Sequence, residues 1–188
     1  MSADESRSAS AGPAGSRQPV RRILLVGFMA AGKTTVGRIL ARRLGWRFHD
    51  VDERIVEETG RSVAEIFQSR GEAAFRSLEA ARTASLLGES NAVISPGGGW
   101  AAMEGSLDAL PEGTLTVWLR VSPAEAVRRA LGAGVVRPLL ASDDPIEKAR
   151  ELLALREASY RRAALTVDAE GRDPADIAAE IEMYIRTI

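Results

Sequence analysis

Short apolar runs and longer amphipathic segments alternate along this sequence. The amphipathic segments repeat their apolar residues at helical spacing, as Val36, Ile39, Leu40 and Leu44 do. The apolar runs have the length of buried strands, and they lie at residues 23–27, 46–50, 92–95, 114–120 and 165–168. This alternation predicts an α/β fold of three layers, a parallel sheet with helices on both faces. Right-handed crossovers in such a fold bring the functional loops to the carboxyl ends of the strands.

Three further stretches differ from this pattern. Residues 1–20 are mostly Ser, Ala, Gly, Pro and charged residues without the apolar core of a secretory signal, so we expect a disordered tail ahead of one domain at 21–188. Ser62 followed by Glu65 has the spacing of a capping box, which predicts the start of a helix. Residues 132–144 contain glycine and turn-forming residues between two helical patterns, and we expect this segment to move.

The composition excludes several kinds of function. The 188 residues carry 25 cationic and 26 anionic side chains, so the charge gives no reason to expect nucleic acid or an anionic membrane as a partner. There is no cysteine and only one histidine, which excludes thiolate chemistry and a multi-histidine metal site. A metal ion would therefore be held by oxygen atoms. The longest apolar run is about half a bilayer span, too short for a membrane helix, so we expect a cytoplasmic protein. We also expect it to be a monomer.

The segment GFMAAGKT at residues 27–34 matches the phosphate-binding pattern G-x-x-x-x-G-K-[ST], and it lies between a predicted strand and a predicted helix. The backbone N–H groups of such a loop form a nest for phosphate, Lys33 adds a compact positive charge, and Thr34 offers a hydroxyl to magnesium. The sequence therefore predicts a nucleoside triphosphate as ligand. The residues expected to bind it here are Ala30, Ala31, Gly32, Lys33, Thr34 and Thr35.

A phosphate loop leaves the acceptor open, which could be water, a protein or a small metabolite. Asp50 and Asp52 stand two apart at the end of the second predicted strand, so we expect both to point toward the phosphate site from an extended strand end. One carboxylate could hold magnesium through water while the other accepts a hydrogen bond from, and deprotonates, an attacking hydroxyl. The alternative is a solvated acidic strand end or a helix cap.

The segment ISPGGGW at residues 94–100 follows the third predicted strand. Three glycines in a row are either a slack connector or a place where backbone approaches another group closely, and the position at the sheet edge favours close approach. We expect Trp100 to pack beneath this loop, the alternative being that it narrows the substrate pocket.

Taken in order, the phosphate loop, the D-x-D, GEAAFR, the triple glycine, VRPLL and ALREASYRR resemble the shikimate kinase family, and the resemblance runs from about Arg22 to the carboxyl end. It implies a P-loop kinase fold with a five-stranded parallel sheet, substrate-binding helices at about 52–82 and a mobile lid at about 132–145. It also implies magnesium-dependent transfer of the γ-phosphoryl group of ATP to a ring hydroxyl of shikimate, in aromatic amino acid biosynthesis.

The resemblance also implies roles for individual residues. Asp52 would bind the acceptor hydroxyl and Asp50 would lie near magnesium, with Lys33, Asp52 and Arg137 as the catalytic residues. The shikimate carboxylate would be bound by Arg76 and Arg156, whose planar guanidinium groups suit an acid. The remaining assignments are Gly97, Gly98 and Gly99 to shikimate, Arg137 to the ATP phosphates, and Arg129 and Arg172 to the nucleotide.

Two alternatives stay open at this point. The protein could phosphorylate another small polyhydroxy acid, such as gluconate, or it could be a kinase-like binding module without activity. The sequence departs from the family pattern at Ala30 and Ala31 in the phosphate loop and at Ala158, where a proline is common.

Overall fold

The computed structural model describes residues 19–132 and 143–188. The predicted tail falls outside these residues up to position 18, as do Arg137 and most of the predicted lid. The elements in chain order are β1 (Arg22–Val26), α1 (Lys33–Leu44), β2 (Arg47–Asp50), α2 (Val51–Thr59), α3 (Val63–Leu87), β3 (Ala92–Ser95), a short 3-10 helix (Trp100–Ala102), β4 (Thr114–Arg120), α4 (Pro123–Gly132), α5 (Pro145–Tyr160), β5 (Leu165–Asp168) and α6 (Pro174–Thr187).

The five strands form one parallel sheet in the order β2-β3-β1-β4-β5. All five predicted strands are confirmed to within one residue at each end. The first strand stops at Val26 because Gly27, with φ 141°, turns the chain into the following loop. Central strand β1 is buried along its whole length, as expected for a parallel strand covered on both faces.

The helices lie in two groups around the sheet, which confirms the predicted α/β architecture. Helices α1 and α6 pack against each other, while α3 and α5 both contact the 3-10 helix. In a parallel sheet joined by right-handed crossovers, two such groups are expected on opposite faces. None of the helices in the described ranges is long and apolar enough to span a membrane.

The region predicted to bind substrate consists of α2 and α3. The capping box is present at the start of α3, where the Ser62 hydroxyl accepts from the Glu65 N–H and the Glu65 carboxylate accepts from the Ser62 N–H. Gly71 interrupts the helix with φ 80° and ψ 169°, so α3 consists of a short helix and a longer one. Arg76 lies in the second turn of the longer helix, which brings it to the edge of the sheet.

Candidate active site

The phosphate loop joins β1 to α1 as the sequence predicts. Gly32, with φ 91°, precedes the first residue of the helix, a conformation that suits glycine. Lys33 is 9% exposed, and its Nζ donates to the carbonyl oxygens of Gly27 at 3.0 Å and Phe28 at 3.1 Å. These contacts hold the ammonium group within the loop. Ala30 also lies in the left-handed region, with φ 57°.

A cavity of about 500 Å³ opens above this loop at the carboxyl ends of the strands. It has the size expected of a small-molecule site. Each residue predicted for the nucleotide within the described ranges lines it: Ala30, Ala31, Gly32, Lys33, Thr34, Thr35, Arg129 and Arg172. The carboxylates Asp50 and Asp52 line it as well.

The two candidate magnesium ligands lie side by side on the cavity wall. The Thr34 hydroxyl donates to Oδ2 of Asp50 at 2.6 Å. Both groups are hard oxygen donors, as Mg²⁺ prefers, and the described residues contain no cluster of three or more His, Cys, Asp or Glu side chains that could hold a metal alone. The residues therefore fit an ion that takes few protein ligands and completes its coordination with phosphate and water.

The predicted geometry of the D-x-D segment is wrong in one respect. The strand ends at Asp50, which caps α2 by accepting from the N–H groups of Asp52 at 3.1 Å and Glu53 at 3.4 Å. Asp52 is thus in the first helical turn, not on an extended strand end. The helix cap and the site carboxylate are the same residue, because Asp50 uses Oδ1 for the cap and Oδ2 for Thr34.

A second, smaller cavity of about 80 Å³ adjoins the first. Each residue predicted for the acid substrate lines it: Asp52, Arg76, Gly97, Gly98, Gly99 and Arg156. Both cavities are lined by Met29, Asp52, Gly97 and Gly98. Asp52 therefore lies where the phosphate side of the site meets the arginine side.

Arg76 is held in a fixed orientation by two acids of its own helix. Its Nη1 donates to Glu79 at 2.7 Å and its Nη2 to Glu72 at 3.0 Å. Burial alone would lower the pKa of Arg76, but the adjacent Glu79 and Glu72 carboxylates outweigh it and raise the pKa. The guanidinium group stays charged beside the cavity.

The other predicted arginines reach the site from different elements. Arg156 lies on α5 with its guanidinium carbon 5.9 Å from the ring centre of Phe28. Arg129 lies on α4, where its Nε donates to Glu125 at 2.5 Å and its Nη2 to the Ala169 carbonyl at 2.6 Å. Arg172 donates to the Asp168 carbonyl at 3.1 Å and pairs with Glu180 at 2.7 Å. Arg137 lies outside the described residues.

The triple glycine is packed tightly, so the slack-connector interpretation is wrong. A Cβ added at Gly97 would lie 2.3 Å from the Glu79 carboxylate, and one at Gly99 would lie 2.6 Å from the Arg76 guanidinium carbon. Side chains are excluded because charged groups of α3 pass directly against this backbone. Trp100 is 4% exposed in the 3-10 helix that follows, in agreement with a packing role.

Sequence reasoning missed two buried residues beside the arginines. Glu79 is fully buried, pairs with Arg76 and faces Gly97. Tyr160 is fully buried and its hydroxyl donates to the carbonyl of Gly98. The available signal was spacing, since Glu79 lies three residues after Arg76 and Tyr160 lies four after Arg156, so each shares a helix face with a predicted ligand.

The chain is similar to known proteins over most of its length. A family model described as shikimate kinase matches residues 29–186. A shikimate kinase of Moorella thermoacetica is 43% identical over 164 residues, which cover 87% of this chain and 94% of the relative. The solved structure of shikimate kinase from Acinetobacter baumannii in complex with shikimate has a TM-score of 0.84 and 34% identity, covering 89% of this chain and 94% of that one.

A more distant likeness concerns the fold alone. A gluconokinase structure from Sinorhizobium meliloti has a TM-score of 0.59 and 19% identity, covering 91% of this chain and 94% of the other. By the family match and by identity over most of its length, the chain belongs to the shikimate kinase family, phosphotransferases that use an alcohol group as acceptor.

Proposed function

We propose that this protein transfers the γ-phosphoryl group of ATP to a ring hydroxyl of shikimate, giving shikimate 3-phosphate and ADP, in a reaction that requires magnesium. The observation that carries the proposal is the position of Asp52 at the junction of two cavities. One cavity contains the phosphate loop, and the other contains two arginines and the triple glycine.

The larger cavity provides what a nucleoside triphosphate requires. Phosphate oxygens would accept from the loop N–H groups and from Lys33 at the amino end of α1, where the helix dipole also favours negative charge. Arg129 and Arg172 also line this cavity and are proposed to contact the nucleotide. Arg137, assigned from the sequence alone, is proposed to add a cation to the phosphates.

Thr34 and Asp50 would hold magnesium, with Asp50 acting through water. The ion would neutralise phosphate charge and orient the phosphate oxygens. The Asp50 carboxylate is already fixed by the Thr34 hydroxyl and by the α2 N–H groups, so this part of the site is preorganised.

The smaller cavity suits a compact carboxylic acid. Arg76 and Arg156 would bind its carboxylate, and the bare backbone of the triple glycine leaves room for a ring and its hydroxyls. Asp52 would accept a hydrogen bond from the acceptor hydroxyl and take its proton as the hydroxyl oxygen forms a bond to the γ-phosphorus. The bond between that phosphorus and the bridging oxygen breaks, and ADP leaves.

The test is a coupled assay of ADP release with shikimate, with and without magnesium, and with gluconate as the competing acid. We expect magnesium-dependent turnover with shikimate and a much lower rate with gluconate. Asp52→Asn should lower kcat by about 10²- to 10⁴-fold while the circular dichroism spectrum is unchanged. Asp108→Asn, an exposed acid that lines neither cavity, is the matched control and should leave kcat unchanged.

Three results would contradict the proposal in different ways. Faster turnover of gluconate would reassign the substrate. Full activity of Asp52→Asn would remove its role as base. ATP binding without phosphoryl transfer to either acid would indicate a binding module.

A further inference from the structure

Tyr160 lies beneath the triple glycine as the last residue of α5. It is fully buried, and its ring lies 5.9 Å from the ring of Trp118 on β4, tilted by 33°. The packing fixes the ring, so the direction of its hydroxyl is also set. That hydroxyl donates to the carbonyl oxygen of Gly98.

This hydrogen bond fixes more than one atom of the glycine turn. The carbonyl of Gly98 and the N–H of Gly99 belong to one planar trans peptide, so an oriented carbonyl also orients the N–H. Glycine has more conformational freedom than any other residue, and three in succession would otherwise sample many peptide orientations. The Tyr160 hydroxyl, which comes from outside the loop, stabilises one of these peptide orientations.

The same tyrosine is close to both candidate carboxylate ligands. It lies one helical turn after Arg156 on α5. Burial raises the pKa of Tyr160 to about 12, against the opposing effect of the nearby Arg156 and Arg76 cations. The hydroxyl therefore remains a donor throughout the pH range of an ordinary kinase assay.

We propose that Tyr160 is a positioning residue for the acid substrate: its hydroxyl locks the triple glycine to the helix that carries Arg156. The spacing between the glycine backbone and the guanidinium is then set before shikimate binds, which lowers the entropic cost of binding. The inference rests on the proposed function and adds a residue that determines affinity for the acid and not for the nucleotide.

The test is Tyr160→Phe, which removes the hydroxyl and keeps the ring against Trp118. The chain has two tyrosines, so Tyr184→Phe on α6 is the matched control for the same chemical change. For Tyr160→Phe we expect the KM and the dissociation constant for shikimate to rise about 10-fold, the effect of losing one buried hydrogen bond, with the KM for ATP changed less than about twofold. Tyr184→Phe should change neither constant.

A purely structural role would give a different result. In that case Tyr160→Phe would melt at a lower temperature with both KM values unchanged, which would overturn the inference. An equal rise in the two KM values would overturn it too, because the acid would not be affected selectively. If the variant is unfolded at the assay temperature, the rise in melting temperature on addition of shikimate is measured for the variant and for the parent protein. An equal rise in the two proteins would contradict the proposal.

An assay of the parent protein shows whether a negative result concerns Tyr160 alone or the proposed function as well. A parent that shows no shikimate-dependent release of ADP overturns both. A parent that phosphorylates shikimate, with a Tyr160→Phe variant of unchanged affinity for the acid, overturns only the role of the tyrosine.

Discussion

A buried cation lies at each end of the central strand β1, and the two cations have similar contacts but different roles. At the amino end, Arg22 is 5% exposed and donates to the carbonyls of Glu89 and Glu112 and to the Thr114 hydroxyl. Past the carboxyl end, Lys33 is 9% exposed and donates to the carbonyls of Gly27 and Phe28. Both positive charges are bound chiefly by backbone oxygen.

The difference lies in where the acceptors come from. The partners of Arg22 belong to the segments that lead into β3 and β4, so the guanidinium ties three neighbouring strands together. The two carbonyls that Lys33 contacts belong to its own loop, and the residue lines the large cavity. Distant acceptors make a cation part of the fold, whereas local acceptors beside a cavity hold a cation ready for a ligand.

The largest test of this comparison is Lys33→Met. The expected loss in kcat/KM is on the order of 10²- to 10³-fold, because a charge directed at the transferred phosphate is removed. The melting temperature should fall less than on loss of Arg22, since the two carbonyls that lose their donor belong to the loop itself. Steady-state kinetics and thermal melts measure the two quantities.

The control for this variant is the other lysine of the chain. Lys148 pairs with Glu151 on the surface of α5, and Lys148→Met should leave kcat/KM unchanged. A large loss of stability in Lys33→Met would show that the lysine supports the fold as Arg22 does.

The next test, Arg22→Met, should affect stability and leave catalysis intact. Loss of the guanidinium removes the three hydrogen bonds that this 5% exposed cation makes to two carbonyls and a hydroxyl, at a cost of about 2–3 kcal/mol in the free energy of unfolding. For a domain of this size, that corresponds to a melting temperature about 4–12 °C lower. At a temperature where the variant is folded, kcat/KM should equal that of the parent.

Arg47→Met is the matched control at the same end of the sheet. Arg47 also contacts Glu89, through its side chain, but it is exposed, so the expected change is below about 1 kcal/mol. Equal destabilisation by the two substitutions would contradict the distinction between a buried cation on backbone oxygens and a surface ion pair.

The smallest effect is expected at Glu125, which accepts from Arg129 beside the larger cavity. Hydrogen bonds from Arg128 and Arg129 lower the pKa of Glu125 to about 2, from 4.5. Glu125→Gln should raise the KM for ATP about two- to fivefold, because Arg129 loses its fixed partner. The KM for shikimate should not change.

The pH dependence gives a second measurement of the same contact. A lowered carboxyl pKa contributes stability that is fully present above the unfolded value and is lost as the pH falls toward the folded value. The difference in denaturation midpoint between the parent and Glu125→Gln should therefore be constant above about pH 5 and shrink below about pH 4. Glu151→Gln on α5 is the control, and a difference that grows in acid would contradict this account.

Much of the fold was predictable because it depends on local patterns. Strands such as β3 were found by their continuous apolar runs, and the start of α3 by the Ser62 and Glu65 pair. The phosphate loop was predictable for the same reason, since its glycine and lysine spacing is set by contacts within one segment. The D-x-D was assigned to the site but with the wrong geometry, since its spacing suits both a strand end and a helix cap.

Spacing puts Glu79 and Tyr160 on the helix faces of Arg76 and Arg156, but it could not show what the two residues contact. Both residues lie among the charged and aromatic residues of long helices, and neither α3 nor α5 alone shows which residue of that face reaches the triple glycine. Their partners, Gly97 and Gly98, are separated from them by many positions in the chain. Only the packing of both helices against the 3-10 helix that follows β3 makes these contacts.

The sequence by itself determined which segments form the sheet, where the phosphate loop lies and which family the motifs resemble, because each depends on interactions between near neighbours. The tertiary structure decided that Asp52 lies between two cavities, that Arg76 is fixed by buried Glu79, and that Tyr160 supports the triple glycine. These contacts join residues far apart in the chain, and their geometry exists only once helices α2, α3 and α5 have packed at the carboxyl edge of the sheet.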